Sequence, residues 1–136
     1  MSVSDCIFCR IARGERASRV WYEDGDAVAI LDINPFERGH SLVIPKVHGA
    51  TLLDLPEGCL AGVLPLVRRL AGRLVERLGA DGFNVLQNNG RCASQSVDHV
   101  HFHLIPRYAG RELNWVPRVG GASAEELDAL LELLRG

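Results

Sequence analysis

Three histidines alternate with apolar residues in the last third of the chain. Histidine binds metals and phosphates, attacks phosphorus as a nucleophile and exchanges protons near neutral pH. A spacing of two residues is the period of a β-strand, whose successive side chains point to opposite faces. His99, His101 and His103 should therefore share one face at intervals of about 7 Å, with the apolar residues between them facing a core. A solvent-facing strand would carry Thr, Lys, Glu or Ser instead, so the predicted strand 98–105 is the first candidate for a reactive site.

The other two histidines, His40 and His48, flank one short apolar run at residues 41–45. This run is itself a predicted strand. Every imidazole of the chain thus lies in or beside one of two predicted strands. If these strands pack together, one site can hold all five.

One interpretation of the triplet is a metal centre, because histidines at i and i+2 can share an ion as in open catalytic zinc sites. Such sites usually include a carboxylate as well. Glu112 lies beyond Pro106, outside the predicted strand, and Asp98 points to the opposite face from the histidines. The missing carboxylate weakens this interpretation.

A second interpretation is nucleophilic catalysis. One imidazole can attack phosphorus and form a covalent phosphoramidate, and a second can donate a proton to the leaving group. The loop at residues 90–96, rich in glycine and serine, could present backbone N–H groups and hydroxyls to a phosphate. By itself such a loop is more often an ordinary turn, but here it directly precedes the histidines.

A third feature adds to the second interpretation. Cys6 and Cys9 have the spacing of a zinc-binding pair, although two apolar cysteines can also occur so spaced by chance. His48 and His99 can complete a Cys₂His₂ set, which forms a closed structural site.

The elements that must position these groups follow from hydrophobic periodicity. Strands are predicted at residues 20–22, 27–32, 41–45, 83–88 and 98–105. A long amphipathic helix is predicted over residues 60–78, broken near Pro65 and ended by Gly79. A capping box at Ser123 opens a C-terminal helix over residues 124–135. The order β-β-β-α-β-β-α predicts an α+β domain with a five-stranded antiparallel sheet.

Bulk composition restricts the class of protein. The chain has 136 residues, which is enough for one domain with a core, and its 47% apolar content is that of a globular protein. A net charge of −2 argues against a nucleic-acid surface, and no apolar run is long enough for a membrane helix. The N-terminal residues lack the pattern of a signal peptide, so we expect a cytoplasmic protein with reduced cysteines.

The histidine segment resembles the His-φ-His-φ-His-φ-φ signature of the histidine-triad (HIT) superfamily, in which φ is apolar. The resemblance covers roughly residues 5–107 and is most specific to the Hint-like branch with an N-terminal Cys pair. Five further segments resemble the family's opening, its two N-terminal core segments and its phosphate-side segments: Asp5–Cys9, Leu31–Pro35, Gly39–His48, Asn88–Gly90 and Ser94–Val97.

The resemblance implies nucleotidyl hydrolase or transferase activity at the α-phosphate of a purine, AMP-like nucleotide. It implies that His101 is the nucleophile, that His103 contacts the phosphate and helps the leaving group depart, and that His40 forms hydrogen bonds within the site. Asp32 would bind the ribose hydroxyls. The remaining nucleotide-binding residues would contact base or phosphate: Phe8, Ile11 and Ile33 for the base, and Asn88, Ser94, Gln95 and Ser96 for the phosphate.

The resemblance also implies one HIT domain over residues 1–136, with a core at 5–107 and a branch-specific tail at 108–136, that forms a homodimer. A structural zinc held by Cys6, Cys9, His48 and His99 would tie the N-terminus to the sheet. The expected reaction is nucleoside phosphoramidate hydrolysis through a nucleotidyl-histidine. The alternatives are a dinucleoside polyphosphate hydrolase and a nucleotide-binding sensor or scaffold with little turnover.

Overall fold

A five-stranded antiparallel sheet with the strand order β1-β2-β3-β5-β4 forms the centre of the molecule. The computed structural model describes residues 5–135, so Met1–Ser4 and Gly136 lie outside it. The prediction that the N-terminus has no signal-peptide pattern rests partly on Met1–Ser4. The strands are β1 Val20–Glu23, β2 Ala27–Leu31, β3 Ser41–Pro45, β4 Gly82–Leu86 and β5 Phe102–Arg107. The α-helices are α1 Ile7–Ala12, α2 Glu57–Leu60, α3 Val63–Leu78 and α4 Ala124–Arg135. The predicted α+β fold class is confirmed.

The sheet separates two hydrophobic cores, and β2 shows how. Ala27, Ala29 and Leu31 belong to the larger core under α3 and α4, whereas Val28 and Ile30 belong to a smaller core that includes α1. This is the two-residue alternation of a strand that is buried on both faces. On β5, Phe102 and Leu104 join the larger core, so His103 faces the side on which α1 lies.

The long helix is α3, and Pro65 lies in its first turn, where a missing N–H costs no intrahelical hydrogen bond. The predicted break therefore falls just before it, and Glu57–Leu60 forms the separate helix α2. Gly79 ends α3 with φ 66°, in the left-handed region that favours glycine, as the sequence predicts.

The predicted start of the histidine strand was wrong. The β3–β5 ladder runs only from Ser41↔Leu104 to Val43↔Phe102, so His99 and His101 precede the strand. The carbonyl of Pro45, at the end of β3, accepts instead from the His99 side chain at 2.7 Å. Val100 N–H donates to Gly49 O at 2.9 Å, which keeps this segment extended without a ladder.

The C-terminal helix occupies the predicted range, and Glu126 N–H donates to Ser123 Oγ at 3.1 Å as in a capping box. In a complete capping box the Glu126 carboxylate would accept the backbone N–H of Ser123. Here that carboxylate instead accepts from Arg118. Residues 108–123 carry no helix or strand. Within residues 5–135, no helix has the length and apolarity to cross a membrane.

Candidate active site

A cavity of about 310 Å³ opens beside the histidine segment. It brings together seven of the predicted site residues: Phe8, Ile11, Asp32, Ile33, Ser96, His101 and His103. Ile7, Ile30, Leu42 and Val97 add apolar wall, and the segment 16–19 forms part of the rim. Four other predicted residues, His40, Asn88, Ser94 and Gln95, do not line this cavity.

His101 is buried and held in one tautomer. Its Nδ1–H donates to the carbonyl of His99 at 2.7 Å, so the neutral ring carries its lone pair on Nε2. Among the described residues, Nε2 has no hydrogen-bond partner, and the ring packs edge-on against Phe8 with centroids 5.0 Å apart. Burial lowers the pKa of His101, which keeps the lone pair available at neutral pH.

His40 sets the protonation of His103. The backbone N–H of Phe36 donates to His40 Nδ1 at 2.9 Å, so the proton of neutral His40 is on Nε2. That proton donates to His103 Nδ1 at 2.9 Å, which leaves the proton of His103 on its own Nε2. His103 therefore offers an N–H donor to a group in the cavity.

Burial keeps both of these histidines neutral. Desolvation, with a smaller contribution from His103, lowers the pKa of His40 to about 3. Desolvation and then the nearby His101 lower the pKa of His103 to about 4. The site thus holds one free imidazole lone pair and one imidazole N–H, the pair that nucleophilic attack with a hydrogen bond to the leaving group requires.

Asp32 lines the same cavity close to these histidines, and its carboxylate is partly buried. Oδ1 accepts the backbone N–H of Asn34 at 2.8 Å, and Oδ2 lies 3.7 Å from His40 Nε2. Burial raises the pKa of Asp32, and the hydrogen bond from Asn34 opposes this. The carboxylate has unused acceptor capacity, which suits a pair of hydroxyl donors.

In the loop before the histidines, the Gln95 side chain binds backbone groups, whereas Ser96 lines the cavity. Gln95 is buried, and its amide accepts from Gly90 N–H at 2.6 Å and donates to the carbonyls of Ala50 and Val97. This amide positions the loop, so its predicted contact with phosphate stays a prediction.

Ser96 lines the cavity and, in the part of the chain that the structure describes, neither its N–H nor its hydroxyl has a partner. Ser94 adopts φ 73°, the one described non-glycine residue with a positive φ, and it lies outside the cavity. Asn88 is close by and donates to the carbonyl of Ser94 at 3.4 Å. Ser96 is therefore the loop residue best placed to meet an anion.

Four side chains that could hold a metal converge beside α1. Cys6 Sγ and Cys9 Sγ lie 3.3 and 3.5 Å from His99 Nδ1, and His48 Nδ1 lies 3.2 Å from Cys9 Sγ and 3.1 Å from His99 Nδ1. Tetrahedral zinc with these donors would set edges of about 3.3–3.8 Å. The bond from His99 Nε2–H to Pro45 leaves the Nδ1 lone pair for the ion, so the donor chemistry fits.

The same cluster is linked to the candidate nucleophile. Cys6 caps α1 and accepts from Cys9 N–H at 3.4 Å, which places the second thiol one turn into the helix. His99 offers Nδ1 to the cluster and its backbone carbonyl to His101. A metal that holds His99 would therefore also hold the group that selects the tautomer of His101.

A second group of potential ligands consists of Asp32 and His103, which line the cavity, and His40, which is buried behind them. Here the hydrogen bonds oppose a metal. Because Phe36 N–H occupies His40 Nδ1, the His40 Nε2 atom carries a proton and has no lone pair to offer. Within this group His40 Nε2–H donates to His103 at 2.9 Å, and Asp32 Oδ2 lies 3.7 Å from His40 Nε2.

Comparison with known proteins places these features in a family. The HIT-domain profile matches residues 13–110, well over half of the chain. The chain belongs to the HIT family. An uncharacterized HIT-like protein of Methanocaldococcus jannaschii is 42% identical over 131 residues, which are 96% of this chain and 99% of that protein.

Within the HIT family, Hint-like relatives carry names that describe an activity. An adenosine 5'-monophosphoramidase of Saccharomyces cerevisiae is 49% identical over 102 residues, which are 75% of this chain and 62% of the yeast protein. A zinc-bound histidine triad family protein of Mycobacterium smegmatis has a similar structure, with a TM-score of 0.83 and 38% identity over 98% of this chain and 95% of that one. The predicted membership of the Hint-like branch is confirmed.

Three residues that contribute to this HIT site were not predicted from the sequence. Ile30 and Leu42 line the cavity, and the alternation of their strands could have indicated this, because each lies on the face opposite the larger core. Phe36 acts through its backbone N–H and stacks on His103 with centroids 6.2 Å apart. No side-chain pattern could have identified a backbone donor.

Proposed function

We propose that this protein hydrolyses nucleoside phosphoramidates, or related AMP-like nucleotides with a leaving group on the α-phosphate. The observation that carries the proposal is the free Nε2 of His101, which lies in one cavity with the unpartnered Ser96 and the carboxylate of Asp32. A phosphate at Ser96 and a ribose at Asp32 would place the base against the apolar wall of Phe8, Ile11 and Ile33.

The proposed reaction has two displacements. His101 Nε2 attacks the α-phosphorus and a P–N bond to His101 forms. The bond to the leaving nitrogen breaks as that nitrogen takes a proton from solvent and a hydrogen bond from His103 Nε2–H. Water then attacks phosphorus, releases a proton to solvent, and breaks the bond to His101, which restores the Nε2 lone pair. The products are the amine and the nucleoside monophosphate.

A comparison of substrates tests this function against its alternatives. We expect faster turnover of adenosine phosphoramidate than of diadenosine polyphosphate, because the cavity is lined by one carboxylate suited to a ribose, Asp32, and holds one free imidazole lone pair, on His101. Faster cleavage of the dinucleotide would identify a dinucleoside polyphosphate hydrolase. AMP binding without turnover of either substrate would identify a sensor or scaffold.

Replacement of Asp32 by alanine should weaken binding of AMP about tenfold or more, and binding of 2'-deoxy-AMP much less. The carboxylate is the acceptor proposed for both ribose hydroxyls, and a deoxy analogue lacks one of them. Calorimetry with the two nucleotides measures the difference. Asp32→Asn is the matched control, because it keeps an oxygen for Asn34 N–H; equal weakening of both nucleotides by Asp32→Ala would remove Asp32 from this role.

We also propose that Cys6, Cys9, His48 and His99 hold one structural zinc, which would tie the N-terminal residues to the end of β3. Four protein ligands close a tetrahedral site and leave no open position for substrate. We further propose a cytoplasmic protein made of one domain, with a core at residues 5–107 and a tail at 108–136.

The exposed edge strand β4 supports the proposal of a homodimer. β4 pairs only with β5, and Phe83 and Val85, at alternate positions, are 47% and 44% exposed. An apolar edge of this kind is a ready surface for a second copy. Phe83→Asp/Val85→Asp should convert a dimer to a monomer by light scattering, whereas Leu133→Asp, at a 44% exposed position on α4, should not. A wild-type monomer at micromolar concentration would contradict the homodimer.

A further inference from the structure

One peptide group joins the candidate ribose-binding residue to the C-terminal tail. The peptide between Ile33 and Asn34 donates its N–H to Asp32 Oδ1 at 2.8 Å. Its carbonyl lies in the same plane but points in the opposite direction, and it accepts the N–H of Ala122 at 3.2 Å. Because a peptide group is rigid and planar, a rotation that moves the carbonyl also moves the N–H that orients Asp32.

The tail forms a tight turn where it meets this peptide. Gly121 N–H donates to Arg118 O at 3.1 Å, which closes the turn. Arg118 N–H donates to Pro35 O at 2.8 Å, so the turn binds two carbonyls of the loop, those of Ile33 and Pro35. The Arg118 guanidinium holds the turn from the other side, donating to Gly121 O at 3.2 Å and to both carboxylate oxygens of Glu126 at 2.8 and 2.9 Å.

The turn is also anchored to the body of the protein. Ala122 packs against the larger core, and α4, which begins two residues later, buries Leu127, Leu130 and Leu134 in that core. The tail is therefore fixed to the core, and the loop after Asp32 is hydrogen-bonded to it.

Gly121 makes the close approach possible. A Cβ atom at Gly121 would lie 3.0 Å from Ile33 O and 3.4 Å from Asn34 Oδ1. The first of these is a backbone atom, so the Ile33–Asn34 peptide would have to shift. Gly120 has a similar positive φ, 81° against 67°, but a Cβ there would meet nothing within 4 Å.

We propose that the turn Arg118–Ala122 is a positioning element for the nucleoside site, and that Gly121 lets it set the orientation of Asp32 through the Ile33–Asn34 peptide. This inference rests on the proposed function, because it assigns the tail a part in binding the nucleotide. The tail would act on nucleotide affinity and on selection of the ribose. None of residues 118–122 lines the cavity that contains His101 and His103.

The neighbouring glycines provide a matched pair of variants. Gly120→Ala and Gly121→Ala both place a side chain at positive φ, so both carry the same kind of backbone strain, but only Gly121→Ala presses on Ile33 O. We expect Gly121→Ala to raise the Kd for AMP and the KM for adenosine phosphoramidate about tenfold, and Gly120→Ala less than about twofold. The value of kcat should change little in either variant.

The preference for a ribonucleotide over its 2'-deoxy analogue is a quantity that general destabilisation would not change. The preference for AMP over 2'-deoxy-AMP should shrink in Gly121→Ala and stay at the wild-type value in Gly120→Ala, while both proteins show similar losses of melting temperature. If Gly121→Ala does not fold, Arg118→Ala replaces it, because that variant removes the bonds to Gly121 and Glu126 without adding an atom; a smaller change in the same direction is expected.

The outcomes separate the two proposals. Wild-type protein that binds no AMP would overturn the nucleotide-binding function and the positioning role with it. Wild-type binding with equal Kd values and equal ribose preference in the two glycine variants would overturn the positioning role alone. A fall in kcat without a rise in KM would also overturn it, since the tail would then act on the chemical step.

Discussion

Replacing His101 by alanine is expected to reduce turnover of adenosine phosphoramidate by at least about a thousandfold. His101 Nε2 is the free imidazole lone pair of the cavity, since the Nδ1 atoms of His103 and His40 accept hydrogen bonds and their Nε2 atoms carry protons. Loss of that lone pair removes the covalent route. The fold should persist, because the four proposed zinc ligands and both cores keep their residues.

Three measurements make this prediction specific. Rapid quenching of the wild-type reaction and mass spectrometry should detect one nucleotidyl group on the chain, and His101→Ala should show none. Circular dichroism and zinc analysis should show that the variant is folded. In His101→Gly, added imidazole should restore part of the turnover by occupying the vacated space. Turnover near the wild-type value in folded His101→Ala would refute the nucleophilic mechanism.

Removal of the metal is expected to lower the melting temperature by more than about 10 °C, with activity falling as a consequence. Zinc would hold the N-terminal residues against the end of β3, and the unfolded chain has no preformed site, so the free energy of zinc binding adds to that of folding. Burial, with the neighbouring Cys6, raises the pKa of Cys9 to about 11 when no metal is bound. Zinc binding must therefore release protons, and we expect weaker binding as the pH falls.

The cysteines of the chain supply the control. Cys6→Ser/Cys9→Ser should lose zinc and stability together, whereas Cys59→Ser/Cys92→Ser, which lies outside the cluster, should keep both. Purified wild-type protein should contain about one zinc per chain, and less than about 0.2 in protein never exposed to chelator would rule the site out. Zinc that disappears in His101→Ala would instead make the triad the metal site.

Much of the fold follows from periodicity alone. The alternation of His99, His101 and His103 with apolar residues defines one histidine face and one apolar face, and the strands 27–31 and 41–45 are largely apolar on both faces. Gly79 and Ser123 mark helix ends through backbone chemistry that is local to each residue. These features can be predicted from the sequence because they depend only on residues that are close together in the chain. The Cys6–Cys9 spacing belongs to the same class, since one helical turn sets the distance between the two thiols.

The tertiary structure decided what each of these groups can do. The N–H of Phe36 and the carbonyls of Pro45 and His99 select the tautomers of His40, His99 and His101, and backbone groups of this kind leave no trace in residue type. Hydrogen bonds across the fold bind the Gln95 amide to the loop, although its residue type suits a phosphate equally well. The contact of Gly121 with Ile33 joins residues that are 88 positions apart in the chain numbering. Residue types and spacing determined which chemistry was present; the distant partners, brought close only by folding, determined which atoms are free to perform it.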